Sequence, residues 1–147
     1  MKKLFIYYSN SGNGDVVAKH LAEKGFEIRK VRPKRELPKK FFFKVLFGGF
    51  LAGFNKKAAL SGYDASVAEF DEIVIGSPVW NGKVSCPINT VLSKTDLKDK
   101  KSAFILYAGG GVAEKAEERL KSLYPSADVI VLKEPKNHPD ELKKITL

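Results

Sequence analysis

KLFIYY (residues 3–8) runs directly into SNSGNG (residues 9–14), and DVVAKHLAEKG (residues 15–25) follows. An unbroken apolar run that stops at a polar, glycine-rich turn predicts a buried strand over Lys3–Tyr8. Val16, Val17, Ala18, Leu21 and Ala22 share one helical face and Gly25 marks a stop, so a helix is expected over Asp15–Lys24. The loop between them is Ser9-Asn10-Ser11-Gly12-Asn13-Gly14. It lies where a helix N-terminus exposes unpaired N–H groups and the positive end of its dipole. Glycines let the backbone wrap closely around an anion, and serine and asparagine side chains add donors, which together describe a phosphate cradle. The loop lacks the Lys-Ser/Thr pair of a nucleoside triphosphate loop. Gly12-x-Gly14-x-x-Val17 ends in the wrong residue for a dinucleotide fingerprint, and Arg29, Lys30 and Arg32 stand where a ribose-binding acid would be. The bland alternative is a glycine-rich turn that binds nothing.

Working outward, FEIRKV (residues 26–31) alternates and predicts a second strand, and DEIVIG (71–76), SAFILY (102–107) and DVIVL (128–132) predict three more. Helices are expected from Pro87 to about Lys94, over Val112–Leu123, and over a short Asp140–Lys144 segment opened by Asn137-His138-Pro139. SPVWNGKVSCP (residues 77–87) is rich in breakers and reads as a loop. Apolar strands alternating with helices imply a parallel sheet covered on both faces. The expectation is one α/β domain over residues 1–147, with a doubly wound five-stranded sheet in three α/β/α layers.

A second motif follows the third strand: Gly76-Ser77-Pro78-Val79-Trp80-Asn81-Gly82. It carries the chain's one tryptophan. The indole either stacks on a flat heterocycle or folds back onto the core. In a sheet of order 2-1-3-4-5 the chain leaves strands one and three in opposite directions, and their carboxyl ends open a crevice where ligands bind. The two motifs then face one crevice, one suited to a phosphate and the other to a flat ring.

With both motifs in hand, the chain resembles the flavodoxin family over nearly its whole length, residues 33–62 excepted. Ser9 to Gly14 is similar to the family's phosphate loop, Ser/Thr-x-Thr-Gly-Asn-Thr. Ser77, Pro78, Val79, Trp80, Asn81 and Gly82 follow the second loop, which lies along the isoalloxazine. Ala108-Gly109-Gly110-Gly111 stands where a third flavin-contacting loop belongs. The resemblance implies a flavodoxin-like fold of strand order 2-1-3-4-5 that binds flavin mononucleotide (FMN) and carries electrons between redox partner proteins, with the Asn81-Gly82 peptide near flavin N5. A phosphate held without cations and no base near flavin N1 would make it a low-potential one-electron carrier. The alternatives are an FMN-dependent NAD(P)H or quinone reductase and a flavodoxin-fold binding module without redox activity. Three features depart from the family: Gly14 replaces the last threonine, the third loop has no aromatic, and the chain is basic.

That basic character is local. Of 26 bases and 17 acids, ten bases and one acid lie between Arg29 and Lys57, so this stretch carries the whole net charge of +9 and the remaining 16 bases and 16 acids cancel. The same region holds FFFKVLFGGFLAGF (residues 41–54). Its apolar residues fit a second crossover helix at helical spacing, which Gly48-Gly49 would weaken. Alternatively, residues 29–57 present a basic, aromatic surface to an acidic partner or an anionic membrane. No nucleic-acid module accompanies the charge, so nucleic acid is set aside. A single cysteine, Cys86, excludes an internal disulfide, and the short apolar run after Lys2-Lys3 is no signal sequence; both fit the cytoplasm. Cys86 lacks the downstream arginine of a phosphatase loop, and His20 and His138 have no clustered ligands. A response-regulator receiver would need an acidic pair where Tyr8-Ser9 stand and an aspartate at Ser77.

Overall fold

The computed structural model describes residues 1–36 and 57–147. Alternation along the strands sorts side chains onto two faces, as the period of two in a pleated strand requires. From β1 (Lys3–Tyr7), Leu4 and Ile6 join Tyr8, Ile73, Ile75, Phe104 and Leu106 in one core, while Phe5 and Tyr7 join Val74, Ala103, Ile105 and Tyr107 in the other. The second core receives Val17, Ala18 and Leu21 from α1 (Asn13–Glu23) and Ile145 after a 3-10 helix (Pro139–Lys144). The first receives Ile88 and Val91 from α2 (Cys86–Lys94) and Ala116 and Leu120 from α3 (Glu114–Leu123). These faces make the three layers.

The remaining strands are β2 (Glu27–Lys30), β3 (Glu72–Trp80), β4 (Lys83–Val84), β5 (Lys101–Ala108) and β6 (Asp128–Lys133). The sheet runs β2-β1-β3-β5-β6, all parallel, with β4 added antiparallel to the end of β3. Setting that two-residue strand aside, the order is the expected 2-1-3-4-5. The carboxyl ends of β1 and β3 are adjacent: Tyr7 pairs with Gly76, and the Tyr8 N–H donates to the Gly76 carbonyl at 3.2 Å.

The segment after Gly76 is not the irregular loop its breakers predict. β3 continues to Trp80, turns at Asn81-Gly82, and returns as β4, with Val79 opposite Val84 and Trp80 opposite Lys83. Both turn residues have positive φ, 49° at Asn81 and 75° at Gly82. That is the type I′ pattern, whose twist matches the flanking strands and which favours the dipeptide Asn-Gly. Proline is tolerated at position 78 in this strand, and Pro87 lies in the first turn of α2 as expected. Two smaller differences concern helix starts and types. α1 begins at Asn13, which draws Asn13 and Gly14 into its first turn, and the C-terminal helix is 3-10 in geometry.

The basic segment is partly accounted for by packing. Arg29 reaches the carbonyls of Asp64 and Ser66 at 2.9 and 2.8 Å and lies over the Phe70 ring. The ends of the excursion after β2 are pinned by an antiparallel bridge, Pro33 to Leu60, with Lys34 N–H donating to the Ala59 carbonyl at 2.8 Å. The expected crossover helix and aromatic surface fall on residues 37–56, outside the described residues. No described helix is long and apolar enough to cross a membrane.

Candidate functional site

Loops leaving β1, β3 and β5 gather at the carboxyl edge of the sheet, around Tyr8. The Tyr107 hydroxyl, from β5, donates to the Tyr8 carbonyl. The Tyr8 ring meets the Trp80 indole edge-on, with centroids 5.8 Å apart and planes at 89°. Burial pushes the Tyr8 hydroxyl up to about 12, with the Glu36 charge adding to the effect. Burial also raises Tyr107 well above the ordinary tyrosine range. Both rings therefore remain neutral hydroxyls at physiological pH.

The first loop folds round a single oxygen. Ser9 is buried, and its Oγ accepts the N–H groups of Gly12 at 3.2 Å and Gly14 at 3.1 Å. These N–H groups stand at the start of α1, where no intrahelical carbonyl reaches them. Gly12 occupies the left-handed region at φ 97°, which favours glycine. Two donors converging on one oxygen at the positive end of a helix are the donor set a phosphate oxygen requires. The loop thus fits the phosphate of FMN, with the Ser9 hydroxyl in the position of an anion oxygen. Asn10 and Ser11 are exposed around it, and Ser11 Oγ accepts from Asn13 Nδ2 at 3.2 Å.

Gly14 is buried for a reason unrelated to phosphate. A Cβ there would stand 2.5 Å from the Tyr107 hydroxyl oxygen, 2.8 Å from Ser9 Cβ and 2.8 Å from Tyr7 Cδ2. The threonine of the family pattern has no room. Below the loop, Asp15 accepts from the Tyr7 hydroxyl at 2.8 Å and the Lys30 ammonium at 2.7 Å. Burial acts to raise the Asp15 carboxyl, but the bonds from Lys30 and Tyr7 outweigh it and hold the group below its ordinary range.

The second loop is a hairpin tip rather than an open arm. Trp80 is 3% exposed, so its indole is a core side chain beneath the crevice; of the two readings of this residue, folding back onto the core is the one observed. Ser77 is also buried, and its Oγ accepts the Ser85 N–H at 3.0 Å, tying β3 to the start of α2. Pro78 is buried, Val79 is half-buried, and Asn81 and Gly82 form the tip. In the third loop, Ala108 is the buried last residue of β5, Gly109 and Gly110 are exposed, and the Gly111 N–H closes a turn onto the Ala108 carbonyl at 3.2 Å. The structure therefore brings all three loops to one edge, while Trp80 and Ser77 serve its scaffold.

Two contributors escaped the sequence reading. Tyr107 reads there as one more strand residue. Lys136, in the turn after β6, lies against the first loop, its N–H donating to Asn13 Oδ1 at 3.0 Å and its ammonium to the Ser11 carbonyl at 3.3 Å. The loop is therefore not free of cations, as the resemblance had implied. Only the folded chain, which brings the turn after β6 to the start of α1 across 123 positions, carries that information. Among the described residues, no group of three or more His, Cys, Asp and Glu side chains could hold a metal.

No curated protein matches the sequence. Among solved structures the chain is similar to two proteins provisionally described as flavoproteins. One is from Bacteroides uniformis ATCC 8492 (TM-score 0.73, 23% identity, 95% of this chain and 97% of that one). The other is from Bacteroides eggerthii DSM 20697 (TM-score 0.75, 20% identity, 99% and 98%). It is also similar to a flavoprotein from Lactobacillus acidophilus NCFM solved in complex with FMN (TM-score 0.63, 22% identity, 88% and 89%). At these identities the likeness shows the fold. A family profile described as NADPH-dependent FMN reductase matches residues 1–138, nearly the full length. The flavodoxin resemblance thus holds for the fold and for FMN as the cofactor, and is corrected at the level of family: the chain belongs to the NADPH-dependent FMN reductase family.

Proposed function

We propose that the protein is an FMN-dependent oxidoreductase that takes reducing equivalents from NADPH and passes them to a small acceptor such as a quinone or free flavin. The observation that carries this reading is the pair of N–H groups, from Gly12 and Gly14, converging on one buried oxygen at the start of α1. The family match supports the reductase over the electron carrier expected from the flavodoxin resemblance.

FMN, when bound, supplies the capacity to accept a hydride from NADPH and release electrons to an acceptor. The chain's part is to hold and orient. Asn10, Ser11, Gly12, Asn13 and Gly14 bind the phosphate, and Ser9 keeps the Gly12 and Gly14 N–H groups in place until it arrives. The hairpin tip at Asn81-Gly82 and the Ala108–Gly111 turn flank the ring, with their backbones open to it because side chains are absent or small. Ser77, Pro78, Val79 and Trp80 set the position of the tip from beneath. An acidic protein or an anionic membrane remains the partner the basic segment at 29–57 would suit.

The test is the absorbance spectrum of the purified protein, followed by FMN titration of the apoprotein and NADPH oxidation with a quinone or free FMN as acceptor. Tight FMN binding with acceptor-dependent NADPH consumption is the expected result. FMN binding without NADPH consumption would return the protein to the carrier class, and no FMN binding at micromolar concentrations would remove the flavin reading.

A further inference from the structure

We propose that Lys136 is the cationic contact of the phosphate cradle, so that this protein selects the phosphorylated flavin by charge as well as by backbone N–H groups. The inference rests on the reading of residues 9–14 as a phosphate site.

Lys136 is exposed, yet its side chain is laid over the loop rather than directed away from it. Its stem lies along Gly12: a Cβ on Gly12 would meet Lys136 Cδ at 3.3 Å and Nζ at 3.5 Å. The ammonium is thereby placed beside the residue whose N–H points at the buried Ser9 oxygen. The segment is fixed at both levels. The Lys136 N–H is bound by Asn13 Oδ1 at 3.0 Å, and the Glu134 carbonyl accepts the N–H groups of Asn137 and His138 at 2.8 and 3.0 Å. Glu134 itself has φ 36°, a left-handed backbone that costs a side-chain-bearing residue energy and persists where its surroundings impose it. That strained turn puts Lys136 on the loop. The ammonium donates to the Ser11 carbonyl at 3.3 Å, and an ammonium has three N–H donors, enough to take a phosphate oxygen as well. Asn13 thus acts as the clamp between loop and lysine.

The test compares FMN with riboflavin, which lacks the phosphate, in wild type, Lys136→Met and Lys136→Arg. Methionine keeps an apolar stem on Gly12 and the backbone bond to Asn13, so the variant is expected to fold. FMN affinity should fall about tenfold in Lys136→Met, the size of one charge-assisted hydrogen bond. It should be restored in Lys136→Arg, while riboflavin affinity stays the same in all three. Phosphorus NMR of bound FMN gives a second readout: the second ionisation of the phosphate, near 6 when free, should lie higher in Lys136→Met than in wild type. Unchanged FMN affinity and ionisation in a wild type that prefers FMN would overturn the role of Lys136 alone. Equal affinity for FMN and riboflavin in wild type would overturn the charged cradle but leave a flavin site. Binding of neither flavin would overturn the site itself.

Discussion

A Cβ on Gly14 would stand 2.5 Å from the hydroxyl oxygen of Tyr107. The two residues lie 93 positions apart, one in the first turn of α1 and the other near the end of β5. Their contact couples the anion loop to the middle of the sheet, because the same hydroxyl donates to the Tyr8 carbonyl.

Gly14→Ala tests that coupling. Replacing glycine inside a helix ordinarily stabilises by roughly 0.5–1 kcal/mol. Here overpacking, typically 1–3 kcal/mol, should win and leave a net loss of about 1–2 kcal/mol in urea unfolding. In a Tyr107→Phe background the loss should shrink without vanishing, since Ser9 Cβ and Tyr7 Cδ2 stay within 2.8 Å of the new methyl. A Gly14→Ala protein at least as stable as wild type would show that the contact relaxes freely.

Ser9→Ala removes the acceptor on which the loop closes. The apoprotein should lose about 1 kcal/mol, as when a helix N-cap is deleted. A bound phosphate oxygen can take over both N–H groups, so saturating FMN should narrow the difference in melting temperature between the two proteins. If the difference widens instead, Ser9 contacts the ligand directly rather than standing in for it.

Glu72 governs part of the acid response. Its side chain is 1% exposed and pairs with Lys101 at 2.8 Å and Lys3 at 3.3 Å. Burial works to raise its carboxyl, but the two lysines prevail and the group titrates below its ordinary 4.5. The unfolded chain therefore takes up this proton at a higher pH than the folded one. The stability it contributes is complete above the ordinary value and drains away as pH falls through the lower, folded value. Glu72→Gln should cost about 1 kcal/mol at pH 7 and flatten the decline of the unfolding midpoint on acidification below pH 5. An unchanged acid profile would place the proton-linked stability elsewhere.

Gly82 holds φ 75° at the hairpin tip, and a Cβ there would find Lys115 Cδ at an ordinary 3.7 Å. The space is free, so the cost of Gly82→Ala is that of the backbone alone, about 1–2 kcal/mol. Thermal unfolding should show that loss. FMN affinity should fall with it if the tip flanks the ring, and should hold if the tip is only scaffold.

Much of this was legible in the sequence because it is local. KLFIYY followed by SNSGNG and an amphipathic run specifies strand, anion loop and helix through nearest-neighbour physics, and four more strands show the same way. The hairpin after Gly76 was also within reach: Asn81-Gly82 is the type I′ signature, but Ser77, Pro78 and Gly82 read as breakers and masked the strand on either side. Trp80 left two readings open, since burial of a loop aromatic depends on a partner, Tyr8, that is near only in the folded sheet. Lys136 and Tyr107 were out of reach for the same reason at longer range. Gly14 reads as a missing hydroxyl in the sequence and as reserved space in the fold.

Trp80 gives the protein an optical property of its own. It is the only indole in the chain, shielded from water and set edge-on to Tyr8 beneath the loops. Its emission should be blue-shifted in the native state and move to the red on unfolding. A flavin seated at the neighbouring loops absorbs in the same range and would drain that light by energy transfer. Ligand arrival and loss of the fold would then change one natural signal in different ways, intensity for the first and colour for the second, and no label is required to tell them apart.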